Sequence, residues 1–144
     1  MTTSAANHYE ALFADIAKSC GPVDNVTLTG IVGFSAGGPV SMCRVGAADY
    51  VTCELSLHPE QVESSEGLKF ELLSLVGLEE AKCQRLLTAI GTLSMEAVLG
   101  DRHTVDVSQI ISNAPFSSVQ LKLKSRCEIG GRRYGIYAVE PVGV

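Results

Sequence analysis

The chain has 144 residues, and at about 150 residues per domain it reads as one domain spanning 1–144. Hydrophobic residues make up 46% and charged residues 19%, with mean hydropathy +0.22, which excludes intrinsic disorder. The net charge of −5 argues against a nucleic-acid backbone as the main partner, and no apolar run approaches the ~18 residues of a membrane span, so neither nucleic acid nor membrane is the expected partner.

The first periodic segment runs from Ser4 to Cys20. Tyr9, Leu12, Phe13, Ile16 and Ala17 recur at helical spacing, Ser4 is a plausible N-cap, and Cys20-Gly21-Pro22 is a stop signal. No basic region or apolar stretch precedes it, so no secretory signal is read. Strands are predicted over Val26–Phe34 and Val40–Val45, separated by a Ser35–Pro39 turn. Asp49–Leu57 then alternates, with Tyr50, Thr52, Glu54 and Ser56 on a polar face and Val51, Cys53, Leu55 and Leu57 on an apolar one. That is the pattern of a half-buried antiparallel strand. His58–Gly67 reads as a polar loop. Leu68–Val76 reads as a strand with Phe70, Leu72 and Ser74 on one face and Glu71, Leu73 and Leu75 on the other.

Leu78–Leu99 is the longest helical pattern, a rod of roughly 30 Å. Glu79 and Glu80 open it and Gly100 closes it. Gly91 inside it costs about 1 kcal/mol relative to Ala and marks a close contact or a break. A short strand over His103–Val107 and a hairpin around Gly130-Gly131 complete the pattern. This order predicts an α+β fold, a mostly antiparallel sheet packed against two helices at about 4–20 and 78–99. Cys53, Cys83, Leu86, Leu87 and Ile90 should be buried where the stripes meet.

The five cysteines are odd in number, widely spaced and without a C-x-x-C pair. They read as reduced thiols used as small core hydrophobes, which points to a cytoplasmic setting. Gly33-Phe34-Ser35-Ala36-Gly37 matches G-x-S-x-G, but that motif needs a helix directly after the turn, and Gly38-Pro39 and a β-like run follow instead. A turn is the better reading; a small serine hydrolase using Ser35 with His103 or His58 is the alternative. Asp101, His103 and Asp106 gather two carboxylates and an imidazole, yet on a strand His103 and Asp106 face opposite ways. No catalytic set, metal site or cofactor is expected.

Between Glu54 and Glu80 stand seven glutamates against one lysine, Lys69. They read as a solvated loop or as an acidic surface for a basic partner. Conversely, between Lys122 and Arg133 the five cations Lys122, Lys124, Arg126, Arg132 and Arg133 stand against only Glu128, in terminal strands where cations guard a strand edge or form a binding surface.

Three stretches, in their order and spacing, carry a resemblance. They are Tyr50-Val51-Thr52-Cys53-Glu54-Leu55-Ser56, Gly67-Leu68-Lys69-Phe70-Glu71-Leu72-Leu73, and Leu99-Gly100-Asp101-Arg102-His103-Thr104-Val105-Asp106. Over about residues 48–107 the chain resembles the suppressor of fused-like domain family, in its short bacterial single-domain form. The resemblance implies an α+β binding domain and no enzyme. In animals the family member restrains a transcription factor through a form that has a second domain; the bacterial role it implies instead is that of an immunity protein that neutralises a toxin by binding.

The expected interface lies at one end of the sheet. Glu60, Glu63 and Glu66 occupy the loop between two strands, Glu54 projects from the strand that enters it, and Asp101 and His103 leave the long helix towards the same end. Exposed charges contribute about 0–1 kcal/mol each, so lysines in place of Glu60, Glu63 and Glu66 should leave the fold intact.

Overall fold

The computed structural model describes residues 14–15, 18, 23–31, 40–45, 49–52, 55–57, 61–111, 114–129 and 131–142. Seven strands form one sheet: β1 (Val23–Ile31), β2 (Val40–Val45), β3 (Asp49–Thr52), β4 (Lys69–Ser74), β5 (Thr104–Asp106), β6 (Ser118–Ile129) and β7 (Arg132–Val142). Helix α1 (Glu80–Leu93) follows β4, and a 3-10 turn, Leu55–Leu57, follows β3. The spatial order is β1-β2-β3-β4-β7-β6-β5. The fold is α+β.

The sheet is mixed, which corrects the mostly antiparallel expectation. β1 to β4 form an antiparallel meander, and β5, β6 and β7 pair antiparallel among themselves, but β4 pairs parallel to β7, from Lys69↔Tyr134 to Ser74↔Val139. The cause is the α1 crossover. It carries the chain over the sheet to the far edge, where β5 runs in the direction of β4, and two antiparallel reversals restore that direction in β7. β7 therefore lies beside β4 in the middle of the sheet, and Tyr134 to Val139 are buried without interruption, as befits a strand covered on both faces.

On one face, Cys83, Leu86, Leu87 and Ile90 of α1 pack with Phe70, Leu72, Val119, Leu121, Tyr137 and Val139. The four helix residues were expected to be buried, and each is at most 1% exposed. Each such side chain contributes about 1.5–3 kcal/mol by leaving water. The rings of Phe70 and Tyr137 meet edge to face, 5.0 Å between centroids. On the other face lie Leu73, Tyr134, Ile136 and Ala138, all buried. Ala14, Asp15 and Lys18 are helical, and Ser125 Oγ donates to Asp15 Oδ2 at 3.3 Å over that face. The remainder of the expected Ser4–Cys20 helix lies outside the described residues, as do Cys53 and the Gly33–Gly37 motif. Thus α1 is the one helix the described residues trace from end to end, against the two expected.

Two element ends also differ from the periodicity. α1 stops at Leu93 and not at Leu99. The hydroxyls of Thr88 and Thr92 donate to the carbonyls of Gln84 and Thr88, and Ser94 Oγ donates to Gly91 O at 2.6 Å. Such back-bonding competes with the helical ladder and favours an end. β3 stops at Thr52 and not at Leu57, because a buried carboxylate captures the next amides. The Glu71 side chain accepts from Thr52 Oγ1 (2.6 Å) and Leu55 N (3.0 Å) at one oxygen, and from Ser56 N (2.7 Å) and Ser56 Oγ at the other. β4 is left with a bare edge beyond β3, and side chains cover it as a strand would. Thr52 Oγ1 accepts from Leu72 N (2.9 Å), while Gln61 accepts from Phe70 N (3.0 Å) and donates to Phe70 O (2.9 Å).

Candidate functional site

Gln61–Leu68 leads into β4, and Leu99–His103 leads into β5. Backbone hydrogen bonds tie the first loop to the end of α1, where Val62 N donates to Ser94 O (2.9 Å), and to the second loop, where Ser65 N donates to Leu99 O (2.8 Å). The junction is closed by Glu66. Its Oε1 accepts from the Tyr137 hydroxyl at 2.5 Å and from Asp101 N at 2.9 Å, and its Oε2 accepts from Ser65 Oγ at 2.8 Å. Tyr137 rises from the middle of β7 and shares its hydroxyl oxygen with Ser64 Oγ, 2.8 Å away. Because the carboxylate can only accept, the tyrosine proton points to Glu66 and the serine donates to the tyrosine.

Burial pushes the Glu66 carboxyl upward, but the hydrogen bonds from Tyr137, Asp101 N and Ser65 outweigh it and hold the group below the usual carboxylate range. Burial, and then the hydrogen bond to Glu66, push the Tyr137 phenol well above its ordinary value. The pair is thus a neutral phenol donating to a charged carboxylate, a strong form of hydrogen bond.

The second loop is held as tightly. Asp101 Oδ1 accepts from Leu123 N at 2.8 Å, and Arg102 N donates to Leu121 O at 2.6 Å. Arg102 has φ +70, a left-handed conformation unusual for a residue with a side chain. Gly100 allows the close approach: a Cβ there would lie 1.8 Å from Ser65 Oγ. The result is a rim at which Glu63, Ser65, Asp101, Arg102 and His103 are exposed on a backbone anchored to β6 and β7.

Of the residues the sequence points to, the structure brings Glu66 and Asp101 into contact and places His103 in the same turn, its N–H donating to Gly100 O at 3.1 Å. Glu63 is exposed on the first loop. Glu54 and Glu60 lie outside the described residues, as do Ser35 and His58. One expectation is corrected: Glu66 is no solvated charge of a loose loop, but the half-buried acceptor that fastens that loop to the next. Tyr137 and Ser64 were not read as site residues. The available signal was a tyrosine on the apolar face of a strand, whose hydroxyl must find a polar partner when buried.

Among the described residues, no group of three or more His, Cys, Asp or Glu side chains converges as for a metal ion. Cys83 and Cys127 are free thiols; burial pushes Cys127 up to about 11, which keeps it from acting as a thiolate nucleophile. No helix among the described residues is long and apolar enough to cross a membrane. No protein-family model matches the chain. No curated protein matches it, and no solved structure does.

Proposed function

We propose that this chain is a non-enzymatic protein-binding domain that engages its partner through the rim formed by the Gln61–Leu68 and Leu99–His103 loops. The observation that carries the reading is the pinning itself. Arg102 stands in a strained backbone conformation, its neighbours are tied to Glu66, Leu121 and Leu123, and Arg102 and His103 are exposed. Strain of this kind costs roughly 1–3 kcal/mol and persists only where the surroundings over-determine it. A rim ordered before the encounter loses little entropy on binding, which is how preorganisation strengthens association. Glu63 and Asp101 outnumber Arg102 among its exposed charged groups, so a basic protein surface is the complementary partner.

The resemblance to suppressor of fused-like domains supports the more specific form of this reading, an immunity-type protein of the bacterial cytoplasm that neutralises a toxin by occupying it. A photo-crosslinking amino acid at His103, at Glu63 and, as a control, at the exposed Arg85 of α1 tests it in the native host. One protein captured from both rim positions and not from Arg85 is the expected result. Equal capture from all three positions, or from the helix alone, contradicts the reading.

A further inference from the structure

A cleft of about 480 Å³ opens between the β6–β7 hairpin and the start of β4. Among the described residues it is lined by Glu63, Gly67, Lys69, Gly131, Arg132 and Arg133. The parallel pairing of β4 with β7 builds it. Lys69 sits opposite Tyr134, which puts Arg132, two residues earlier, on the same face as Lys69. Arg133 points to the other face, where its guanidinium lies against Gly67, so close that a Cβ there would be 2.7 Å from Nη2. Burial, and then the charge of Arg132, lower the Lys69 ammonium from its ordinary value. Repulsive cations are gathered here in a chain whose net charge is −5.

We infer that this cleft is a binding site for a compact dianionic ligand, a phosphate group, held by Lys69, Arg132 and Arg133. Among the described residues that line the cleft, three cations stand against one carboxylate, Glu63, an excess that favours a multiply charged phosphate over a lone carboxylate. The two guanidinium forks suit tetrahedral oxyanions through paired N–H donors. Gly131 contributes no side chain to the wall and has open space where a Cβ would stand, so the anion can approach the backbone there. No aromatic side chain lines the cleft among the described residues, which favours the phosphate itself over a stacked base as the recognised part. The cleft shares Glu63 and Gly67 with the Gln61–Leu68 loop, but the inference does not rest on the partner-binding reading.

The test is an amide NMR titration of the full chain with inorganic phosphate, pyrophosphate and acetate at constant ionic strength. Saturable shifts centred on Gly67, Gly131, Arg132 and Arg133 are expected with phosphate and pyrophosphate, and not with acetate. Removing either guanidinium, in Arg132→Ala or Arg133→Ala, should weaken pyrophosphate about tenfold, whereas Glu63→Gln should tighten it; the same spectra report that each variant is folded. Shifts that stay linear in ligand, that acetate reproduces, or that persist undiminished in the double arginine variant would overturn the assignment.

Discussion

Glu66 and Tyr137 lie 71 positions apart in the chain and are joined by a hydrogen bond of 2.5 Å from the phenol to the carboxylate. That contact connects the loop before β4 to the middle of β7, and through Asp101 N it reaches the turn after α1. The exposed side chains of the rim owe their positions to this half-buried carboxylate.

Glu66 and Glu63, three residues apart in one acidic loop, should therefore behave differently. Glu66→Ala leaves the Tyr137 hydroxyl and the Asp101 amide without their acceptor, at a cost of about 1–3 kcal/mol. Glu63→Lys changes an exposed charge beside Lys69, Arg132 and Arg133 and should cost less, about 0.5–1 kcal/mol. Tyr137→Phe keeps the ring against Phe70 and loses only the hydroxyl, for about 1 kcal/mol. Urea midpoints of the three variants check this; equal midpoints for Glu66→Ala and Glu63→Lys would show that the clasp contributes nothing.

Gly100→Ala should destabilise the chain by about 1–3 kcal/mol, as overpacking does in a closed site, because the added methyl falls onto Ser65 Oγ. Ser65→Gly removes the obstructing hydroxyl, so the double variant should recover part of the loss. Thermal melts of the two single variants and the double variant decide it, and strict additivity would place the strain elsewhere.

Two carboxylates give stability a pH dependence of opposite sign in separate windows. Burial raises Glu71 from 4.5 to about 7 against the pull of its hydrogen bonds from Ser56, Thr52 and the Leu55 amide. The fold therefore holds a proton that the unfolded chain releases. This contribution is complete below pH 4.5 and is lost as pH rises through about 7; at 1.36 kcal/mol per pH unit it amounts to roughly 3 kcal/mol. Glu66 is lowered, so its contribution is present above pH 4.5 and disappears as pH falls through its folded value. Urea unfolding at pH 5 and pH 7.5 should show the wild type losing stability at the higher pH. Glu71→Gln should flatten that slope while lowering stability at pH 5, since its amide faces the Leu55 or Ser56 N–H as a second donor. An unchanged slope in the variant would remove Glu71 as the titrating group.

What could be read beforehand follows from which interactions are local. The strands around Val40–Val45, Leu68–Val76 and the Gly130-Gly131 hairpin show in residue alternation and turn chemistry, and the Cys83, Leu86, Leu87 and Ile90 face shows in helical spacing, because burial on a regular element repeats along the chain. The β4–β7 pairing depends on where a crossover lands, which no local pattern records. Glu71 sits in a β4 pattern whose alternation is correct, but a charged residue on a face with Leu73 and Leu75 is ordinarily solvated; its burial rests on donors 15 to 19 residues away. Glu66 shares its composition with Glu63 and differs only in standing beneath Tyr137. The convergence of Asp101 and His103 with the acidic loop was legible as a direction of the chain, whereas the clasp that makes the loops one rim needed β7.

The central claim is that the rim binds a protein, and its most direct test is the association rate constant between this chain and the protein crosslinked at position 103, measured at low and at moderate ionic strength. Steering by rim carboxylates predicts a rate that falls with added salt, and a several-fold slower, less salt-sensitive association for Glu63→Lys. A rate that is indifferent to both salt and Glu63→Lys would contradict the account.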